Sequence, residues 1–371
     1  MISEEAVREA LVGVIDPEIR RSVVELDMVR SVTVADPLVE VTIALTVPGC
    51  PMKADLERQV RERVGAVDGV GEVRVSFDVM TPEQRATLRG RLQGGGGQGE
   101  QKPIALRPTT RVVALASGKG GVGKSTLAVN LAAALAAGGV EVGVVDADIY
   151  GYSIPRMLGI DRRPVVVDGM IVPPVVHDLR VISIGFFTQP DAAVVWRGPM
   201  LHRALEQFLT DVHWGDLDYL IVDMPPGTGD VSISLGQLLP EPDLVLVTTP
   251  QPAAQSVARR AAEMAGKTGM RVAGVVENMS YLVCPCCGER SHPFGSGGGG
   301  ALADELNVPL LGQIPLDEPL RVAADDGRPL VLTDPDAASA RAIGELAAEL
   351  PGVLRPRRPA ERISQRLGVV S

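Results

Sequence analysis

The chain has 371 residues, of which 45% are hydrophobic, and it carries a formal net charge of −10. This acidic balance argues against a broad nucleic-acid-binding surface, because contacts to phosphates need concentrated Lys and Arg. No segment is long and apolar enough to span a bilayer, and the first residues lack the basic and apolar regions of a secretory signal, so we expect a cytoplasmic protein that binds neither nucleic acid nor membrane.

A small α/β domain is predicted over residues 1–92. Apolar residues at helical spacing predict a helix over Ser3–Ile15, and a β-rich run predicts a strand over Val39–Val47. A charged amphipathic helix is predicted over Met52–Val64, and a further strand over Val70–Val79. About 90 residues are enough for one modest hydrophobic core.

A glycine-rich stretch, residues 93–106, follows and is interpreted as a linker, because its run of Gly and Gln cannot pack a core. The second domain is predicted over residues 107–350, and residues 351–371 are predicted to be a flexible basic tail.

Short apolar runs alternate with helical stretches in the second domain. Continuous Val, Ile and Leu strands separated by helices predict an α/β fold with a doubly wound, mostly parallel sheet. The predicted strands are Val112–Ala116, Val140–Val145, Val181–Phe186, Tyr219–Val222, Leu244–Val247, Val272–Val276 and Leu310–Ile314, and the predicted helices are Lys124–Ala137, Pro199–Val212, Pro252–Thr268 and Ala337–Leu350.

A phosphate-binding loop directly follows the first of these strands. Its sequence, Gly118-Lys-Gly-Gly-Val-Gly-Lys-Ser-Thr126, has the P-loop spacing and lies between a strand and a helix. Glycines let backbone N–H groups approach phosphate oxygens, and the helix N-terminus adds positive charge. Lys124 is expected to reach the β- and γ-phosphates, and the Ser125 hydroxyl to bind Mg²⁺. The expected nucleotide-binding residues are Gly118, Lys119, Gly120, Gly121, Val122, Gly123, Lys124, Ser125 and Thr126.

Acidic residues follow two of the predicted buried strands. Asp223 has the position expected of a second residue on the Mg²⁺ side of a P-loop site. Gly227 lies four residues further along, and its amide is expected to sense the γ-phosphate. Asp146 and Asp148 follow another strand, and either can orient the attacking water or cap the loop. We favour Asp148 for the catalytic role.

Lys119 is an additional lysine early in the loop. It cannot share the position of Lys124, and one role open to it is to reach a phosphate across a dimer interface, like an arginine finger supplied in trans. Alone, this lysine is a weak signal.

Three of the four cysteines, Cys284, Cys286 and Cys287, crowd into four residues. Tetrahedral zinc sites and iron–sulfur clusters normally have four protein ligands, and the spacing alone favours neither. Cys286 or His292 can complete a site within one chain, or a two-fold axis can bring two Cys284–Cys287 pairs together. A structural zinc knuckle and a redox dithiol are the alternatives. The fourth cysteine, Cys50, precedes a predicted helix and is either a reactive thiolate or an inert buried residue.

The phosphate loop with Lys119 resembles the deviant P-loop ATPases, which include MinD, ParA and the nitrogenase iron protein. Within that class, the chain resembles the Mrp (ApbC) family of iron–sulfur cluster carriers. The motifs that carry this resemblance are Asp146–Gly151, Ser153–Leu158, Trp196–Met200, Asp223–Asp230, Glu277–Ser280 and Cys284–Cys287. The N-terminal unit, with Asp16-Pro-Glu18 and the loop that carries Cys50, is similar to the small domain of iron–sulfur assembly factors.

The resemblance implies an ATP-hydrolysing homodimer that takes a [4Fe–4S] cluster from a donor, binds it between subunits and passes it to apoproteins. It implies, residue by residue, that Lys119 acts in trans, Asp148 supports hydrolysis, Asp223 lies on the Mg²⁺ side, Asn278 contacts adenine, and Cys284 and Cys287 bind the cluster. ATP as the nucleotide also comes from the resemblance. Tyr152 and Cys286 depart from the pattern of the family. The competing hypotheses are a MinD/ParA-like positioning ATPase and a reductase-type ATPase that keeps its cluster.

Overall fold

A computed structural model describes residues 2–46, 52–93, 104–148, 151–188, 198–227 and 229–356. The helices are α1 (Glu4–Val12), α2 (Lys53–Gly65), α3 (Pro82–Gln93), α4 (Lys124–Ala137), α5 (Ile154–Met157), α6 (Gly198–Thr210), α7 (Asp230–Leu238), α8 (Pro252–Lys267), α9 (Gly298–Leu306), α10 (Glu318–Asp325), α11 (Leu330–Thr333) and α12 (Ala338–Val353). The strands are β1 (Val29–Ala35), β2 (Leu38–Leu45), β3 (Glu72–Val79), β4 (Arg111–Ser117), β5 (Val142–Asp146), β6 (Val165–Val167), β7 (Met170–Val172), β8 (Val175–Val176), β9 (Leu179–Ser183), β10 (Tyr219–Asp223), β11 (Asp243–Thr248), β12 (Arg271–Asn278), β13 (Leu282–Val283), β14 (Arg290–Ser291) and β15 (Leu310–Ile314).

The chain divides into two compact units, and the first is discontinuous in sequence. It comprises residues 1–105, 162–175 and 210–215, whereas the second comprises 106–161, 176–209 and 216–371. Most of the predicted linker, all but the first residues of the predicted basic tail, and Cys50 lie outside the described residues.

The first unit is built on a three-stranded sheet in the order β1-β2-β3. Strand β2 pairs antiparallel with β1 and parallel with β3. Val39, Val41 and Ile43 alternate along β2 and are fully buried, because the period of a strand points every second side chain to the same face. Helices α1 and α2 add Leu11 and Leu56 to this core.

The internal segment 162–175 contributes to that same core, and the segment 210–215 is bridged to it. β6 and β7 pair as a short antiparallel hairpin, whose residues Val167, Met170 and Val172 are buried in the hydrophobic cluster of the first unit. A further bridge joins Ile171 to Val212. The first unit therefore uses apolar residues that are distant in sequence from its main part.

The second unit is built on an eight-stranded sheet in the order β15-β12-β11-β4-β10-β5-β9-β8. The ladders that join the seven strands from β15 to β9 are all parallel. Every residue of β5, β10 and β11 is buried, as is typical of a parallel sheet covered on both faces. The predicted α/β fold with a mostly parallel sheet is confirmed.

Several predicted boundaries are wrong. The strand predicted over Val181–Phe186 instead begins at Leu179 and ends at Ser183, where Ile184–Phe187 forms a 3-10 helix. The Ser183 hydroxyl accepts a hydrogen bond from the Gly185 amide at 3.1 Å, and this cap starts the helix. Among the described residues, no helix is long and apolar enough to cross a membrane.

Candidate nucleotide site and cysteine hairpin

The candidate nucleotide residues lie at the carboxyl ends of neighbouring parallel strands. Strand β4 ends at Ser117, immediately before the phosphate loop, and β10 and β5 end at Asp223 and Asp146, which are partners in register. Ligands of open α/β sheets bind at this edge, next to the point where the strand order reverses. These residues come from separate segments of the sequence, and the strand order of the sheet brings them to the same edge.

The phosphate loop depends on glycines with left-handed backbone. Gly121 and Gly123 both have φ of +78°, a conformation that side-chain-bearing residues rarely adopt. Gly123 is also the N-cap of α4, and a Cβ atom on it would collide with the side-chain amide of Asn278. That amide donates a hydrogen bond to the Val122 carbonyl at 2.8 Å. Asn278 thus contacts the loop backbone, and its adenine contact stays a prediction.

Lys124 and Ser125 both contact one carboxylate, that of Asp223. The Lys124 ammonium pairs with Oδ1 of Asp223, and the Ser125 hydroxyl donates to Oδ2 at 2.5 Å. Lys124 is 6% exposed and Asp223 is fully buried. Burial raises the pKa of Asp223, and the charge of Lys124 opposes that rise. The predicted phosphate ligand and both predicted Mg²⁺-side residues therefore form one cluster.

Asp146 is a second buried carboxylate beside this cluster. Its Oδ2 accepts hydrogen bonds from the Ser183 hydroxyl at 2.9 Å and from the Ile154 amide at 3.3 Å. Burial raises its pKa to about 7, with the negative charge of Asp223 adding to the effect. Asp146 thus anchors the start of α5 to the strand edge.

Asp148, the predicted hydrolytic residue, is half-buried at the start of the following loop. Its amide donates to Oδ1 of Asp146 at 3.3 Å, and its own carboxylate accepts from the Gly151 amide at 3.1 Å. The negative charge of Asp148 also raises the pKa of Asp223. Asp148 therefore lies close enough to Asp223 to influence the pKa of this Mg²⁺-side carboxylate.

Lys119 and Lys124 contact residues that follow or end different strands. The Lys119 ammonium donates to Oε1 of Gln251 at 3.3 Å, just after β11, and its carbonyl accepts from the Ser117 hydroxyl at 3.1 Å. The two lysines of the loop are thus directed to different partners.

The Gly227 amide is engaged within the chain. It donates to the Ser117 carbonyl at 2.9 Å, at a residue whose φ is +86°. The predicted contact with a γ-phosphate requires this hydrogen bond to break.

The three clustered cysteines lie at the tip of a short hairpin, β13–β14, that follows β12 along the chain. The Cys284 amide donates to the Glu289 carbonyl at 2.9 Å, and the Gly288 amide donates back to the Cys284 carbonyl at 2.8 Å. Cys286 and Cys287 are exposed. The backbone N–H of Cys287, with that of Cys286, lowers the pKa of Cys284 and favours its thiolate. Within the described part of the chain, no three His, Cys, Asp or Glu side chains are grouped to hold a metal ion.

Glu277 has no role predicted from the sequence, and it is fully buried. Its Oε1 accepts hydrogen bonds from the Ser280 hydroxyl at 2.5 Å and from the Gln313 amide at 3.0 Å. Its Oε2 accepts from the Gly299 amide at the start of α9. The position of Glu277, directly after the apolar run that ends at Val276, could have predicted this network. A buried acidic side chain at such a position needs hydrogen-bond partners.

Two family profiles cover most of the chain. Residues 108–351 match the ParA family, described as the NUBPL iron-transfer P-loop NTPases, and residues 4–77 match the iron–sulfur cluster assembly protein family. The chain is 53% identical to the iron–sulfur cluster carrier protein of Mycobacterium bovis over 349 residues, which is 92% of this chain and 91% of that protein. It is 44% identical to the protein of the same name from Synechocystis, covering 95% of this chain and 98% of that one.

A solved structure supports the same relationship. The nucleotide-binding protein of Archaeoglobus fulgidus, in complex with ADP, is 38% identical and aligns with a TM-score of 0.53, over 60% of this chain and 87% of that one. The resemblance to the Mrp (ApbC) carriers is thereby confirmed, and the chain belongs to the NUBPL-type iron-transfer P-loop NTPases of the ParA family, with an iron–sulfur cluster assembly domain at its N-terminal side.

Proposed function

We propose that this protein is a cytoplasmic ATPase that binds a [4Fe–4S] cluster between two copies of the chain and transfers it from a donor to apoproteins. The observation that carries this proposal is the exposed hairpin bearing Cys284 and Cys287, which follows the strand whose end contacts the phosphate loop through Asn278. The relatives that are named iron–sulfur cluster carriers support an iron–sulfur cluster as the cargo.

The donor set at the strand edge suits ATP with Mg²⁺. Mg²⁺ prefers oxygen ligands, and the Ser125 hydroxyl and the Asp223 carboxylate lie 2.5 Å apart at the loop. Bound Mg²⁺ would neutralise charge on the β- and γ-phosphates. A phosphate competes with Asp223 for the Lys124 ammonium, because it carries more negative charge. Asp148 is the residue proposed to orient the attacking water.

The cysteines suit a site shared between two chains. A [4Fe–4S] cluster has four ligands, and Cys284 with Cys287 supplies two. A two-fold axis makes both contributions equivalent and completes the set. An exposed cluster held this way is accessible to an acceptor, which suits transfer better than storage.

Anaerobic reconstitution tests the proposal. Wild-type chain should take up about two iron and two sulfide per chain, with the mass of a dimer, because one cluster serves two chains. Cys284→Ser and Cys287→Ser should each abolish this uptake while ATP affinity is unchanged, whereas Cys286→Ser should retain it. Monomeric protein with zinc alone on the hairpin would contradict the proposal.

A further inference from the structure

The strand that carries Glu277 ends in a sharply reversed turn. Met279, the residue that makes the turn, has a left-handed backbone with φ of +54°, which is uncommon outside glycine and persists only where the surroundings hold it. Those surroundings are tight: the Ser280 amide donates to the Ile314 carbonyl at 2.9 Å, and the Ser280 hydroxyl donates to buried Glu277 at 2.5 Å. The turn is therefore a fixed element rather than a loose connection.

One end of this turn contacts the phosphate loop. The Asn278 amide donates to the Val122 carbonyl at 2.8 Å, and the Met279 amide donates to Oδ1 of Asn278 at 2.9 Å. A single side chain thus bridges the loop backbone and the backbone of the turn. Any shift of the loop would act directly on this bridge.

The other end of the turn contacts the cysteine hairpin. His292 follows β14, and its Nδ1 lies 3.1 Å from the Ser280 carbonyl. Because a carbonyl oxygen only accepts hydrogen bonds, Nδ1 carries the proton and donates. The hairpin has only two residue pairs in its ladder, too few for independent stability, so such contacts with the body determine its orientation.

We propose that His292 is a positioning residue that couples the cysteine hairpin to the nucleotide site, through the Ser280 carbonyl and the Asn278 contact with the phosphate loop. This inference rests on the proposed function and extends it, because it identifies how nucleotide state reaches the cluster ligands. His292 acts through the backbone of the turn, at the base of the hairpin rather than at its cysteine-bearing tip.

Thiol alkylation tests this coupling without any cluster. The full chain carries Cys50→Ser, so that alkylation reports only the hairpin cysteines, and rates are compared for nucleotide-free and MgATP-bound protein. One hydrogen bond is worth a factor of about two to ten in an equilibrium, so nucleotide should change the rate by about that factor. His292→Ala should make the rate independent of nucleotide, and ATP affinity should change by no more than the same factor of about two to ten.

A conservative variant separates positioning from simple loss of structure. Asn places an N–H donor where Nδ1 of His lies, so His292→Asn should restore the nucleotide dependence. His177→Ala, at an exposed histidine elsewhere in the second unit, should behave as wild type.

Three outcomes would overturn the coupling: no effect of nucleotide on the wild-type rate, an undiminished effect in His292→Ala, or no restoration by His292→Asn. Loss of iron uptake in reconstitution would instead count against the carrier function, because alkylation requires no iron.

Discussion

Four buried carboxylates among the described residues have a raised pKa, Asp16, Glu18, Asp146 and Asp223, and the surroundings of the last three differ. Asp223 is paired with Lys124, and Asp146 accepts hydrogen bonds from a hydroxyl and from amides. Glu18, in the first unit, is 6% exposed and lies 3.6 Å from the guanidinium of Arg162. Burial raises the pKa of Glu18 to about 7, while the charge of Arg162 opposes the rise.

The raised pKa of Glu18 predicts a pH dependence of stability. Folded protein binds a proton here more tightly than unfolded protein does, so this contribution is complete below the unfolded pKa of 4.5 and is lost as pH rises through about 7. The loss amounts to up to roughly 3 kcal/mol. Glu18→Gln, which is always neutral, should therefore lose less thermal stability than wild type between about pH 5 and about pH 8.

The matched control for this prediction is Glu9→Gln, at an exposed position of the same unit, which should follow the wild-type profile. The melting temperature of the full chain at both pH values is the measurement. If the melting temperatures of wild type and Glu18→Gln changed equally with pH, that result would contradict the raised pKa of Glu18.

At the scale of elements, local signals predicted the strands and helices that form the nucleotide site. Strand β4, the phosphate loop and α4 follow one another along the chain, so their residue pattern alone carries the motif. The predicted helix over Lys124–Ala137 is confirmed with the same ends. Asp146 and Asp223 were predicted for the same reason, because each ends a buried apolar run.

Other elements form through contacts that a local pattern does not reveal. Helix α9 begins at Gly298, in a run of glycines that favours a loop. The helix forms because buried Glu277 accepts a hydrogen bond from the Gly299 amide at its start and because Leu302 is buried. Strand β1 has few buried residues and is formed by its pairing with β2. The network around Glu277 was missed because its partners are far apart in sequence.

The phosphate loop itself supplies a prediction for an element. Gly123→Ala should weaken ATP binding by about tenfold or more, because a left-handed backbone costs alanine about 1–2 kcal/mol and the new Cβ collides with Asn278. Equilibrium titration with ATP measures this. The control is Gly344→Ala on α12, where a Cβ meets nothing within 4 Å. Wild-type affinity in Gly123→Ala would show that the loop tolerates a different backbone.

At the scale of the whole molecule, the role of Lys119 depends on whether the ATPase acts as a monomer or as a dimer. Its ammonium contacts Gln251 of its own chain, so a role in trans requires it to exchange that partner for a phosphate of a second copy. Lys119→Ala should slow hydrolysis by about 10³-fold or more, as for a transition-state cation supplied across an interface. ATP affinity should stay near the wild-type value.

Mixing two inactive variants tests the trans arrangement. Lys119→Ala combined with Asp148→Asn should recover activity, because one site of each mixed dimer then has both residues. Random pairing gives about a quarter of the wild-type rate. Each variant alone is the control, and a mixture as slow as its components would assign Lys119 to its own site.

The discontinuity of the first unit limits how the gene can be divided. A fragment that stops at residue 105 lacks Val167, Met170 and Val172, which belong to its hydrophobic cluster. A fragment that starts at residue 106 keeps those three side chains and loses the core that buries them. The part of the chain before residue 106 is therefore an incomplete first unit, whereas the part after it contains the whole second unit together with two segments of the first.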